Sequence, residues 1–258
     1  MLRTGLVSIT FRKLSPEEII ELVSQAKLEA VEWGGDVHVP HGNLVQARKV
    51  RKLTSNAGLQ VASYGSYYRV GEDNEVSFME IVDTASELGA PMIRVWAGRR
   101  GSKEADEDYV KKVIDESQKA ADLAGEHDLV VAYEYHANTL TDTAGSTRRL
   151  LRSVNHDNMK TYWQPPSGKA PEECLKGLQQ VSPWLTNIHA FYWWPTGKER
   201  HLLEEGEEPW LRYLSQIAET GREHFVLIEF VRKEDPDNFL KDALTLRKWA
   251  AQIEEKHP

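Results

Sequence analysis

Among the 258 residues there is a single cysteine, Cys174, so no internal disulfide can form and the chain must be held together by its core. There is no apolar run of 18 residues, and the opening MLRTGLVSIT enters a strand-like pattern without the apolar stretch of a signal peptide. A reducing, cytoplasmic setting and no membrane contact are the expectations. Lysine and arginine never gather into a run able to offset the formal charge of −8, which argues against nucleic acid as a partner. No Ser/Gly/Pro-rich stretch divides the chain, so residues 1–258 are read as one domain. The remainder, 40% hydrophobic and 28% charged, is enough apolar material for a large core beneath a solvated surface, which excludes disorder away from the termini.

Apolar, β-branched runs recur near Gly5–Thr10, Ala30–Gly34, Leu59–Gly65, Met92–Ala97, Leu129–Glu134, Met159–Gln164, Thr186–Phe191 and Phe225–Phe230, with helical periodicity between them. The joints are chemically marked. Ser15-Pro16-Glu17-Glu18 reads as a capping box with proline at the first helical position, and Asp235-Pro236 repeats the device before the last helix. Gly58, Gly89, Gly125 and Gly221 stand just before strands, where a left-handed residue ends a helix. Alternation of strand and helix implies a parallel sheet, and eight repeats in a chain of this length favour a single closed (β/α)8 TIM barrel over an open doubly wound sheet.

Four of the late runs end in polar groups: Glu134 in VVAYEYH, Gln164 in MKTYWQPP, His189 in LTNIHAFYW and Glu229 in HFVLIEFVR. Side chains alternate along a strand, so Ala132 with Glu134, Tyr162 with Gln164, Asn187 with His189 and Leu227 with Glu229 share a face. Parallel strands would bring all four to the C-terminal rim of the barrel, where this fold carries its chemistry. Carboxylate, amide carbonyl and imidazole together suit a divalent cofactor, Mn²⁺, Mg²⁺, Co²⁺ or Zn²⁺, with the ion left open. The competing reading is that the two glutamates are buried only to pair with Arg94 or His136. Arg94 itself is read as pairing with Glu32 inside the barrel.

On these residues the chain resembles the xylose isomerase-like TIM-barrel superfamily, especially its sugar-phosphate isomerase/epimerase branch. The resemblance spans nearly the whole chain, through GLVSITFR, AVEWGGDVHVP, SYGSYYRVG, IRVWAG and the four strand ends. It implies a divalent metal held by Glu, Asp, His and Glu after the fifth to eighth strands, which fall here on Glu134, Gln164, His189 and Glu229. The sixth strand departs from that pattern. Gln164-Pro165-Pro166-Ser167 stands where the superfamily has Asp with a His three positions on, so weaker metal retention is expected, with stronger Lewis acidity as the gain, and a non-catalytic site stays open.

The activity implied is isomerisation or epimerisation of a sugar or keto-polyol, with Glu134 and Glu229 as the catalytic base and acid, in either order, through an enediolate. Elimination of a β-hydroxyl, as in dehydratases of the superfamily, and a non-catalytic sugar-binding barrel are the alternatives. The resemblance also makes His38 a substrate-contacting position. His136, inward by parity two residues after Glu134, is a candidate to hydrogen-bond substrate. Aromatic residues collect at the same rim, among them Tyr64, Tyr67, Trp96 and Trp193, as partners for the C–H faces of a sugar. Lys198, Arg200, Arg232 and Lys233 lie in the last two loops without a Gly-rich phosphate nest, which favours a non-phosphorylated substrate. A homo-oligomer is compatible with the chain.

Overall fold

The helices begin where the capping chemistry lies. Ser15 accepts from the Glu18 backbone N–H and Glu18 reaches back to Ser15, opening α1 (Pro16–Gln25), and Ser77 with Glu80 does the same for α3 (Phe78–Leu88). In the computed structural model, which describes residues 1–256, the remaining helices are α2 (Leu44–Asn56), α4 (Glu107–Gly125), α5 (Ala144–Val154), α6 (Pro171–Val181), α7 (Glu207–Ala218) and α8 (Pro236–Lys256). They alternate with β1 (Leu2–Val7), β2 (Ala30–Gly34), β3 (Gln60–Arg69), β4 (Met92–Trp96), β5 (Val130–Tyr133), β6 (Met159–Trp163), β7 (Leu185–Ala190) and β8 (His224–Ile228). Every neighbouring pair is parallel, and β8 returns to β1, closing a (β/α)8 barrel.

Alternation divides the core into two layers. Val31 and Trp33 of β2 point outward and join the large apolar layer between sheet and helices, while Ala30 packs in the interior with Val7, Ile9, Ala62 and Leu227. Met92, Ala132 and Tyr162 fill the other side of the interior. Beyond these apolar fillings the interior turns charged, with Glu32, Arg94, Glu134, His189 and Glu229 all buried.

Several boundaries differ from the sequence reading: β3 runs on to Arg69, and β5, β6 and β8 end one residue before Glu134, Gln164 and Glu229. The first strand is Leu2–Val7 rather than Gly5–Thr10, because Ser8–Phe11 coils into a buried 3-10 turn whose Ser8 Oγ accepts from Gly34 N–H at 2.9 Å. Gly58, Gly89 and Gly221 do adopt the left-handed conformation, whereas Gly125 is the last residue of α4 and Asp128 (φ 57°) makes the turn instead. Among the described residues no helix is long and apolar enough to cross a membrane.

Candidate metal and proton-transfer site

The four strand-end groups meet at one place. Ligand atoms of Glu134, His189 and Glu229 lie within 4.8 Å of one another, and Gln164 Oε1 is 3.1 Å from His189 Nδ1. Glu229 Oε2 stands 3.4 Å from the same nitrogen. His189 lies near the end of β7, and Glu134, Gln164 and Glu229 follow directly on the last residues of β5, β6 and β8, which is why four adjacent strands can deliver them together.

Beneath this group runs a buried ion network. Arg94 on β4 donates from Nε to Glu32 Oε1 at 2.8 Å and from Nη1 to Glu134. Trp96 Nε1 also donates to Glu134, and Ser63 Oγ donates to Glu32 Oε2 at 2.7 Å. The Arg94–Glu32 pair is therefore present as expected, and Glu134 is drawn into it.

The electrostatics follow from these contacts. Burial alone would raise the Glu134 carboxyl, but Arg94, then His189 and His136, outweigh it and hold it below the usual carboxylate range. Glu32 is likewise lowered, by Arg94 and His189 against its desolvation. Burial works to lower His189, yet Glu229 and Glu32 reverse this and lift the imidazole to about 10.

A divalent cation fits this set. The carboxylates of Glu32, Glu134 and Glu229 against one guanidinium leave two negative charges when His189 is neutral, which one divalent ion would balance. His189 Nδ1 moreover faces two oxygens that are themselves lone-pair donors, Gln164 Oε1 and Glu229 Oε2, while Nε2 has only Glu32 Oε1, at 3.5 Å, beside it among the described residues. Such converging lone pairs are stable only around a cation or a proton.

Aromatic rings close the mouth. Tyr67 meets Trp96 edge-on with centroids 5.7 Å apart, and His136 stacks on Trp96 at 4.7 Å with its Nδ1 2.7 Å from Ala137 O. Phe230, directly after Glu229, packs against Trp193 at 6.0 Å. Tyr67 and Phe230 hold left-handed backbone (φ 57° and 52°), a conformation costing bulky residues on the order of 1–3 kcal/mol and concentrated at functional sites.

Two expected substrate contacts are corrected. Tyr64 faces away from the interior: its neighbours Ser63 and Gly65 are the residues that approach Glu32 and Arg94, so the ring between them enters the layer under the helices. There it is fully buried, and its hydroxyl donates to Val39 O at 2.8 Å. His38 spends both ring nitrogens on structure, with Nδ1 3.0 Å from Ser8 Oγ and Nε2 3.1 Å from Leu14 O, fastening the turn after β1. Trp96, His136 and Trp193 do lie about the mouth. Glu32 was read from sequence only as a partner for Arg94; its inward parity with Ala30 in an otherwise apolar strand is the signal that places it beside His189.

The comparisons agree with the architecture. Over 103 residues the chain is 33% identical to a 3-dehydroshikimate dehydratase of Bacillus anthracis, a match spanning 38% of this chain and 35% of that protein, so about a third of the relative's length is covered. The crystal structure of a probable 3-DHS dehydratase involved in petrobactin synthesis, also from Bacillus anthracis, superposes with a TM-score of 0.80 at 20% identity, covering 96% of this chain and 99% of that one. A D-psicose 3-epimerase from Clostridium cellulolyticum H10 superposes with a TM-score of 0.76 at 14% identity, over 97% and 99% of the two chains. At these identities the two structures report the fold alone. With the xylose isomerase-like TIM barrel model matching residues 20–249 and the closed eight-stranded barrel beneath it, the chain belongs to that family.

Proposed function

We propose that this protein is a divalent-metal-dependent isomerase or epimerase that moves a proton at a carbon beside the carbonyl of a sugar or keto-polyol. The observation that carries this reading is the convergence of Glu134, His189 and Glu229, with Gln164 alongside, at the C-terminal mouth of the barrel. Glu134, Gln164, His189 and Glu229 would hold the ion, with Mn²⁺, Mg²⁺, Co²⁺ and Zn²⁺ all matched to this donor set. Bound there, the ion supplies Lewis acidity for a carbonyl and its adjacent hydroxyl.

The chain's own groups do the proton work. Arg94 and Trp96 both donate to Glu134 and so stabilise its carboxylate, making it the poorer proton acceptor. Glu229 carries neither contact and is assigned the first abstraction, which gives an enediolate and leaves the proton on Glu229; Glu134, ionised at rest, would return a proton that it first takes up from solvent. His136, held flat on Trp96, would hydrogen-bond a substrate hydroxyl. Tyr67, Trp96, Trp193 and Phe230 exclude water from the enediolate and present apolar faces to a sugar.

Dehydration is the second reading, favoured by the segment 33% identical to a dehydratase. It begins with the same abstraction and ends with loss of the β-hydroxyl as water. The experiment is metal titration of protein purified without chelator, followed by NMR of ketoses, keto-polyols and 3-dehydroshikimate in D₂O. Deuterium appearing at the carbon beside the carbonyl supports the isomerase reading; a water-loss product without returned substrate label selects dehydration. Sugar binding with neither outcome leaves a non-catalytic barrel and removes the enzyme assignment. Glu134→Gln and Glu229→Gln are each expected to slow turnover at least about a hundredfold, and near-normal turnover in either removes that residue from the mechanism.

A further inference from the structure

Glu32 joins Ser63, Arg94 and His189 beneath the site. It is fully buried, Oε2 accepts from Ser63, and Oε1 both accepts from Arg94 Nε and lies 3.5 Å from His189 Nε2. The opposite ring nitrogen, Nδ1, is the one that faces Gln164 and Glu229. A neutral imidazole carries its proton on one nitrogen and its lone pair on the other, and the group opposite decides which. Acceptor oxygens stand beside both nitrogens, but once a cation occupies the Nδ1 side the carboxylate oxygen beside Nε2 is the one left to hold the proton, and the Nδ1 lone pair turns to the ion. A charge partner for Arg94 does not by itself account for Glu32, because Glu134 already receives Nη1 of the same guanidinium.

We propose that Glu32 is a positioning residue: it fixes His189 as the Nε2–H tautomer and so turns Nδ1 toward a divalent cation held with Glu134, Gln164 and Glu229. It acts through His189 and touches neither cation nor substrate, as carboxylates behind metal-bound histidines do. The inference rests on the metal-dependent reading above.

The test uses the wild-type chain with ¹⁵N-labelled histidine, loaded with Zn²⁺, and a long-range ¹H–¹⁵N correlation spectrum that reports which nitrogen of His189 bears hydrogen. A proton on Nε2 and a metal-shifted Nδ1 are expected. Glu32→Gln should then raise the Zn²⁺ dissociation constant about ten- to a hundredfold by calorimetry. In a His189→Gln background, where no tautomer needs fixing, adding Glu32→Gln should change that constant by less than about twofold. A proton on Nδ1 with metal at Nε2 overturns the proposal while leaving metal binding intact, as does an equal penalty from Glu32→Gln in both backgrounds. Failure of the wild type to bind Zn²⁺, Mn²⁺, Mg²⁺ or Co²⁺ removes the metal reading and this inference with it. Should the Glu32 variants not fold, the wild-type spectrum decides alone.

Discussion

Gly65 shows how little space separates packing from chemistry. A Cβ added there would lie 2.7 Å from Arg94 Nη2 and 3.1 Å from Glu32 Oε1, so the missing methyl is what admits the guanidinium between its two carboxylates. Gly65→Ala should therefore cost about 1–3 kcal/mol by overpacking and lower turnover as well, since Arg94 leaves Glu134. Denaturant unfolding and the exchange assay check both; unchanged values would show that Arg94 shifts without consequence. Gln164 is the other residue where one group decides. Gln164→Asp adds a third carboxylate to the ligand group, beside Glu134 and Glu229, so it should tighten divalent-metal binding and, without metal, lower the melting temperature through repulsion with those two. Unchanged metal affinity would show that Gln164 is not a ligand.

At the scale of elements, α8 carries a titrating group that the barrel does not need for chemistry. Asp242 is buried against the turn before α7, its Oδ1 accepts from Leu203 N–H at 2.8 Å, and burial, with Glu204 and Glu205 adding to it, pushes its carboxyl up to about 7. Because the folded value exceeds the unfolded one, the folded chain holds this proton more tightly, and the resulting stability is full below about pH 4 and is lost as pH rises toward 7. Asp242→Asn keeps the acceptor oxygen and removes the charge, so it should lie near wild type at pH 4 and exceed it at pH 8. The gain is on the order of 2–4 kcal/mol by denaturant unfolding. An equal change at both pH values would assign Asp242 a purely structural part. Elements were also the most legible level of this sequence. Capping boxes, prolines and glycines mark the joints locally, and the period-2 pattern of β5 to β8 predicts which residues face inward. Tyr64 was misplaced because its face depends on the β2–β3 register, which shifts between Val31 and Glu32, and a shift in pairing is invisible to one strand's own pattern. His38 was misplaced because the partners that claim its ring, Ser8 and Leu14, come from a different loop.

For the molecule as a whole, the charged interior couples the site to the stability of the barrel. Glu32, Glu134, Gln164, His189 and Glu229 come from five different strands, so a cation among the last four ties together β5, β6, β7 and β8 and, through His189 and Glu32, reaches β2. The unfolded chain scatters these ligands and binds the ion weakly, so binding stabilises the native state by mass action. Free metal at a hundred times its dissociation constant contributes about 2.7 kcal/mol, which for a chain of this size corresponds to about 5–10 °C in melting temperature. Scanning calorimetry across a metal titration should show the midpoint climbing with the logarithm of concentration, and a chelator should return it to its starting value. The same titration of Glu229→Gln should give a smaller rise, because a ligand charge is gone while the barrel's apolar layers are untouched. A midpoint that ignores metal in the wild type, at concentrations where calorimetry detects binding, would show that the unfolded chain binds the ion as tightly as the folded one, which a site assembled by the barrel forbids.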